Sequence, residues 1–170
     1  YELMMIPAGI TRIFVSGGGN GLNSAGTEIF DGEKNEWKSG PDMTIGRDDH
    51  CSVLTQDRQI VLLGGKTPQE QSLDQETETW SELPTIGQNR RRPGAGVIGD
   101  KIYVFGGQSD DATFPTAVKV YSLSEGKWLS MSAVPPMPTG RYDFGVAVIG
   151  RRIFLIGGWN GDKALGMVEC

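Results

Sequence analysis

Residues 141–158 read RYDFGVAVIGRRIFLIGG. Two short apolar runs, 144–149 and 153–156, flank Gly150 and Arg151, and a glycine pair closes the stretch. That is the pattern of two strands joined by a tight turn. Residues 90–107, RRRPGAGVIGDKIYVFGG, repeat it at the same length, with Arg90 over Arg141, Gly94 over Gly145 and Ile98 over Ile149. Residues 47–65, RDDHCSVLTQDRQIVLLGG, are one residue longer at the turn, and 11–18, TRIFVSGG, match only the second strand. Glycine pairs therefore stand at 17/18, 64/65, 106/107 and 157/158, in steps of 47, 42 and 51. A period in that range signals a repeat architecture.

A second landmark keeps the same step. Trp37, Trp80 and Trp128 each lie seven residues after an apolar position, namely Phe30, Leu73 and Tyr121. The segments between read as a third strand, a polar hairpin turn and a fourth strand opened by Trp. One unit is thus an Arg-led strand, an inner strand ending in Gly-Gly, a strand with an aromatic or Leu, and a strand with Trp.

The glycine pairs, the three Trp and the arginines at 47, 90 and 141 together resemble the kelch repeat over nearly the whole chain. The resemblance implies an all-β fold, a kelch-type β-propeller seen as about four four-stranded blades. The units fall at about 1–40, 41–83, 84–131 and 132–170 of one propeller domain. Trp37, Trp80 and Trp128 are expected to pack between blades, where large apolar side chains contribute most. Kelch propellers usually have five to seven blades, so further blades or another chain are expected to close this one. Val168–Glu169–Cys170 align with 118–120, so the chain stops inside a strand and the molecule is expected to continue past both ends.

Pattern and composition agree with the all-β reading. No 3.6-residue periodicity persists, and no apolar run approaches the roughly 18 residues of a membrane helix. Segments 60–63, 102–105 and 153–156 are apolar on both faces, as a strand covered on both sides must be. The glycines after them can adopt positive φ and turn the chain sharply. Residues 3–6 fit an Arg-led strand without its Arg, interrupted by Pro7. Residues 1–10 lack the basic start and cleavage site of a signal peptide. The net charge of −5 argues against a nucleic-acid partner, and no membrane partner is expected. Cys51 and Cys170 fall in different units, and no Asn-x-Ser/Thr acceptor occurs, which favours the reducing cytoplasm. Cys51 reads as a small buried hydrophobe.

Chemical motifs are few. Gly65-Lys66-Thr67 imitates the end of a phosphate loop, but Ile60 stands where the motif needs Gly, and Pro68 follows instead of a helix. Gly17 to Gly21 lacks dinucleotide spacing. His50 is the sole histidine and cannot build a zinc site with two distant cysteines. It also cannot supply the His pair used by the copper radical oxidases found among kelch propellers. Asp110 and Asp111, like Asp31 and Glu33, lack calcium-loop register and read as solvated charge. No catalytic, cofactor-binding or metal-binding residue is assigned.

The loops entering the Arg-led strands carry more. Aligned on the following strand, Asp49, Arg92 and Asp143 coincide, with Arg90 and Arg91 beside them. In kelch substrate receptors of cullin-type ubiquitin ligases the matching position often carries Arg, faces the central pocket and receives acidic peptides. Here it is Arg once and Asp twice. The resemblance therefore implies a non-enzymatic protein-interaction module, of the substrate-receptor kind, binding a protein or peptide partner through loops on one face. The expected partner offers a Lys or Arg beside an acidic or amide group. Two alternatives stand beside it: an enzyme propeller whose catalytic residues lie outside this chain, and an actin-associated structural module.

Overall fold

The computed structural model describes residues 2–5, 12–19, 24–67, 69–130 and 134–170, the first four by their backbone. Pro7, Asn20, Gly21 and Pro68 lie outside them. The described residues contain strands and no α-helix. The first sheet has β1 (Glu2–Met5), β2 (Arg12–Ser16), β3 (Thr27–Asp31) and β4 (Glu36–Ser39). The second has β5 (His50–Leu54), β6 (Gln59–Gly64), β7 (Glu70–Asp74) and β8 (Thr79–Leu83). The third has β9 (Gly94–Ile98), β10 (Lys101–Phe105), β11 (Lys119–Ser122) and β12 (Lys127–Trp128). The last has three strands, β13 (Gly145–Ile149), β14 (Arg152–Ile156) and β15 (Val168–Glu169). Every sheet is an antiparallel meander in sequence order, as a chain of short hairpins requires.

Register follows the sequence spacing. The hairpin of β13 and β14 closes on Ile149 opposite Arg152, and the Trp residues face their partners as Phe30–Trp37, Leu73–Trp80 and Tyr121–Trp128. The first strands lie side by side, β1 by β5, β5 by β9 and β9 by β13, so the sheets radiate from a common centre. The second strands sit inside their sheets and are the most deeply buried, with Val61, Leu62, Ile102 and Val104 fully covered. Each such side chain contributes about 1.5–3 kcal/mol by leaving water. The core consists of three layers between successive sheets. Phe14 and Met43 meet Ile60, Leu62 and Leu73; Val61 and Leu63 meet Ile102, Val104 and Tyr121; Phe105 and Val120 meet Leu155.

The arginine and glycine landmarks are parts of one joint. Arg47, Arg90 and Arg141 are buried, and each guanidinium donates to the carbonyl of the first glycine in its own sheet: Gly64, Gly106 and Gly157. Their backbone carbonyls accept from the second glycine of the sheet before: Gly18 N to Arg47 O at 2.9 Å, Gly65 N to Arg90 O at 2.7 Å, Gly107 N to Arg141 O at 2.8 Å. All eight paired glycines have positive φ, and a Cβ on Gly64 would stand 2.5 Å from Arg90 O. Close approach, beyond the turn itself, explains the pair.

One expectation is corrected. Trp80 and Trp128 are partly buried against the core layers, but Trp37 is 54% exposed, its ring tilted against that of Phe30 with centroids 5.3 Å apart. Trp80 and Trp128 each lean on the sheet preceding theirs. Trp37 belongs to the first sheet, and among the described residues no sheet lies against that side of it.

Candidate functional site: the cleft at the meeting of the first strands

The loops entering β5, β9 and β13 are carried to one place because those strands adjoin. In each loop one residue turns the chain through the left-handed region: Asp49 at φ 55°, Arg92 at 53°, Asp143 at 51°. This conformation is uncommon for residues other than glycine. The backbone amide of Arg92 donates to Asp49 O at 2.6 Å, locking two loops together.

The side chains continue that link. Arg92 Nε donates to Asp49 Oδ1 at 3.0 Å and Nη1 to Asp143 Oδ2 at 3.1 Å, so one guanidinium spans loops of three sheets. Arg91 donates to Asp49 Oδ2 through Nε and Nη2, at 3.0 and 2.8 Å. Arg92 also lies 5.9 Å from the ring centroid of Tyr142, whose other neighbour is the stacked ring of Phe114. Partial burial opposes ionisation of Asp49, yet the bonds from Arg92 and Arg91 outweigh it and hold its pKa below the usual carboxylate range. The bond to Asp49 raises the pKa of Arg92 further above its ordinary value.

The structure thus brings Asp49, Arg91, Arg92 and Asp143 together and leaves Arg90 apart. Arg90 is buried, and its guanidinium is spent on the carbonyls of Gly106 and Ala117. Its neighbours in sequence point to the mouth; Arg90 holds the sheet.

Behind the rim is a polar cleft of ≈ 340 Å³, lined by Gly18, Asp48, Asp49, His50, Arg92 and Asp143 among others. Asp48 is ion-paired with Lys66 through Oδ2. His50 shares a hydrogen bond of 2.9 Å between Nε2 and the Ser16 hydroxyl. Burial, and then the charge of Arg47, push its pKa down to about 3, so the imidazole is neutral at ordinary pH. Sequence reasoning passed over Asp48 as part of the site, and Tyr142 and Phe114 as supports of Arg92. A signal for Tyr142 lay in its place next to Asp143. Of the remaining acidic pairs, Asp31 and Asp111 serve local turns, while Asp110 accepts from the Asn89 side-chain amide. Asp31 Oδ1 accepts from the amides of Glu33 and Lys34, and Asp111 Oδ1 from Ser109 and Thr113. Among the described residues no three His, Cys, Asp or Glu side chains are placed to hold a metal ion.

A family model of the Kelch motif matches residues 89–138 and 140–170. This chain belongs to the kelch-repeat family. Among curated proteins, the kelch-repeat chain is 29% identical over 149 residues to Kelch-like protein terF of Aspergillus terreus, covering 79% of this chain and 32% of that protein. It is 32% identical over 108 residues to Kelch repeat and BTB domain-containing protein 2 of Cowpox virus, covering 60% and 19%. It is 32% identical over 155 residues to spermatocyte protein spe-26 of Caenorhabditis elegans, covering 84% and 26%. The chain therefore spans a third or less of these relatives' length. The solved structure of YjhT overlays it with a TM-score of 0.77 at 14% identity, covering 92% of this chain and 56% of that one. That likeness shows the fold, and the four sheets are blades of a kelch-type β-propeller.

Proposed function

We propose that this kelch-repeat chain is a protein-interaction module, not an enzyme, and that it presents the rim of Asp49, Arg91, Arg92 and Asp143 to a protein or peptide partner. The four blades act as one propeller domain whose scaffold positions these loops. The observation that carries the reading is the convergence of charged side chains from three blades on one polar cleft. Charges at such a surface govern encounter rate and partner discrimination more than stability. Arg92 is engaged by two carboxylates, so an acidic peptide would compete with Asp49 and Asp143 for it. That favours a partner of mixed charge over a purely acidic one. The Cowpox virus relative, named for both kelch repeats and a BTB domain, supports an adaptor role. Its finer form is a substrate receptor of a ubiquitin ligase, working in the cytoplasm.

The test is a peptide-array screen of the wild-type chain beside Asp49→Arg, Arg92→Glu and Asp143→Arg, with thermal melts of all four. The expected result is altered peptide selection with little change in stability. Selection of the same peptides by all four proteins would remove the rim from the reading.

A further inference from the structure

We propose that Phe114 is the positioning residue of the rim. It acts from the loop between β10 and β11, which carries no rim residue, and holds Arg92 in place through Tyr142. The inference deepens the reading above and rests on it in one respect, that the rim is what a partner meets.

The first argument is reach. Between β6 and β7 the chain needs only residues 65–69, but between β10 and β11 it runs through 106–118. The longer loop is turned back on itself by the left-handed Ala112, by Ser109 N bonded to Thr113 O at 3.0 Å, and by the Ser109 hydroxyl on Asp111. Its tip, Phe114, leaves its own blade and lands on the fourth. There a Cβ on Gly161 would overlap the Phe114 ring, and a Cβ on Gly140 the Phe114 carbonyl. Two residues without side chains thus make the seat in which Phe114 lies.

The second argument is what the seated ring touches. Phe114 stacks on Tyr142, with centroids 5.4 Å apart and planes at 17°. Arg92 lies over the same Tyr142 ring, 5.9 Å from its centroid. Asp49 and Asp143 bind Arg92 in part-exposed ion pairs, where a long side chain gives up rotamer freedom for little gain. A fixed aromatic face removes that freedom beforehand, so the guanidinium meets both carboxylates in one geometry. The stack with Phe114 is what fixes that face.

The third argument is the base of the loop. Arg91 N donates to Gln108 O and Gln108 N to Arg91 O, both at 2.8 Å, and Asn89 Nδ2 donates to Asp110 Oδ2 at 3.0 Å. The loop is therefore tied at its base to the segment carrying Arg91 and Arg92, and at its tip to the segment carrying Tyr142 and Asp143. The bond from Arg92 to Asp143, 3.1 Å long, joins the same two segments at the rim. Loop and rim are parallel ties across one blade junction.

The test follows the Nε–H signal of Arg92 in the isotope-labelled full chain as it exchanges with water, the signal being assigned by its loss in Arg92→Lys. In Phe114→Leu, which fills the seat but cannot stack, this exchange is expected to quicken about fivefold or more, while the backbone amides of β13 exchange as in wild type. Tyr142→Leu should do the same, and Tyr142→Phe should match wild type. The double variant Phe114→Leu/Tyr142→Leu should be no worse than either single one. An unchanged Arg92 rate in Phe114→Leu overturns the proposal, and so does additivity of the two losses. Equal quickening in β13, or loss of the dispersed spectrum, makes Phe114 a merely structural residue and overturns it too. On the peptide array, selection altered by Arg92→Glu but not by Phe114→Leu sinks this inference alone and leaves the interaction reading standing. Selection unaltered by both removes the rim from that reading, and the exchange rates still decide the positioning.

Discussion

The indole Nε1–H of Trp80 donates to the backbone carbonyl of Pro41 at 2.9 Å, tying the outermost strand of the second blade to the loop that leaves the first. Trp128 makes the same bond to Pro84 at 2.7 Å, one blade further on. The fourth strand of each of these blades is thus fixed by its neighbour as well as by its own sheet.

Truncating either indole therefore removes packing and one hydrogen bond to the neighbouring blade, though Pro41 O keeps the bond it accepts from the Thr27 hydroxyl. Trp80→Ala is expected to cost about 3 kcal/mol. The exposed Trp37, replaced the same way, is expected to cost about 1 kcal/mol or less. Urea denaturation of both variants checks the ranking, and equal losses would contradict it.

The glycine joint makes a second ranking. Gly99 has φ +60° with nothing within 4 Å of a Cβ, whereas a Cβ on Gly106, at φ +51°, would overlap Arg141 O. Gly99→Ala carries only the left-handed strain, about 1–2 kcal/mol. Gly106→Ala must also push two blades apart and is expected to cost at least about 2 kcal/mol more. Melting temperatures of the two variants decide it.

Arginines at the joint and at the rim should differ sharply. Arg141 is fully buried and paired with Glu169 at 2.7 Å, besides holding Gly157 O. Arg141→Ala leaves Glu169 without its cation and is expected to cost roughly 3–5 kcal/mol. Arg92 is bound by two carboxylates but half exposed, where each pair contributes at most about 1 kcal/mol. Arg92→Ala should therefore melt close to wild type; a loss as large as that of Arg141→Ala would mean the rim is structural.

Two buried groups pull the pH dependence in opposite directions. Burial raises Glu70, which accepts from Gly64 N at 2.9 Å, from its ordinary 4.5 to about 7. Its contribution is fully present below pH 4.5 and is lost as pH rises through 7. His50 is lowered from 6.5 to about 3, so its contribution is present above 6.5 and is lost as pH falls towards 3. Between about pH 4.5 and 6.5 the two slopes oppose one another. Stability of Glu70→Gln should rise with pH across that window, and that of His50→Gln should fall. Urea titrations at pH 5 and 6 test both signs, and like slopes in the two variants would refute the pairing.

Much of this was legible in the sequence because repetition shows itself as spacing. The Gly-Gly pairs, the seven-residue step to each Trp and the hairpin at Gly150 fixed the strands and their register. Burial of a Trp, however, depends on the sheet beside it, and so Trp37 broke a rule that Trp80 and Trp128 kept. Three adjacent arginines look alike in a sequence, but the path of the backbone sends Arg90 into the joint and Arg91 and Arg92 to the rim. Asp48 carried no periodic signal at all. Its place in the cleft follows from a left-handed residue next to it and from a lysine in the loop just past the end of β6.

The hydrogen bonds that close the first three glycine pairs run one way along the chain. Gly18 reaches forward to Arg47, Gly65 to Arg90 and Gly107 to Arg141, so the partner always emerges later during synthesis. The intervals are 29, 25 and 34 residues, and the joint is the same in all three. The length of chain between its two ends is therefore free to vary. Insertions in the outer strands and their turns leave the joint intact, whereas a chain cut just before Arg90 would leave Gly65 with its amide unanswered.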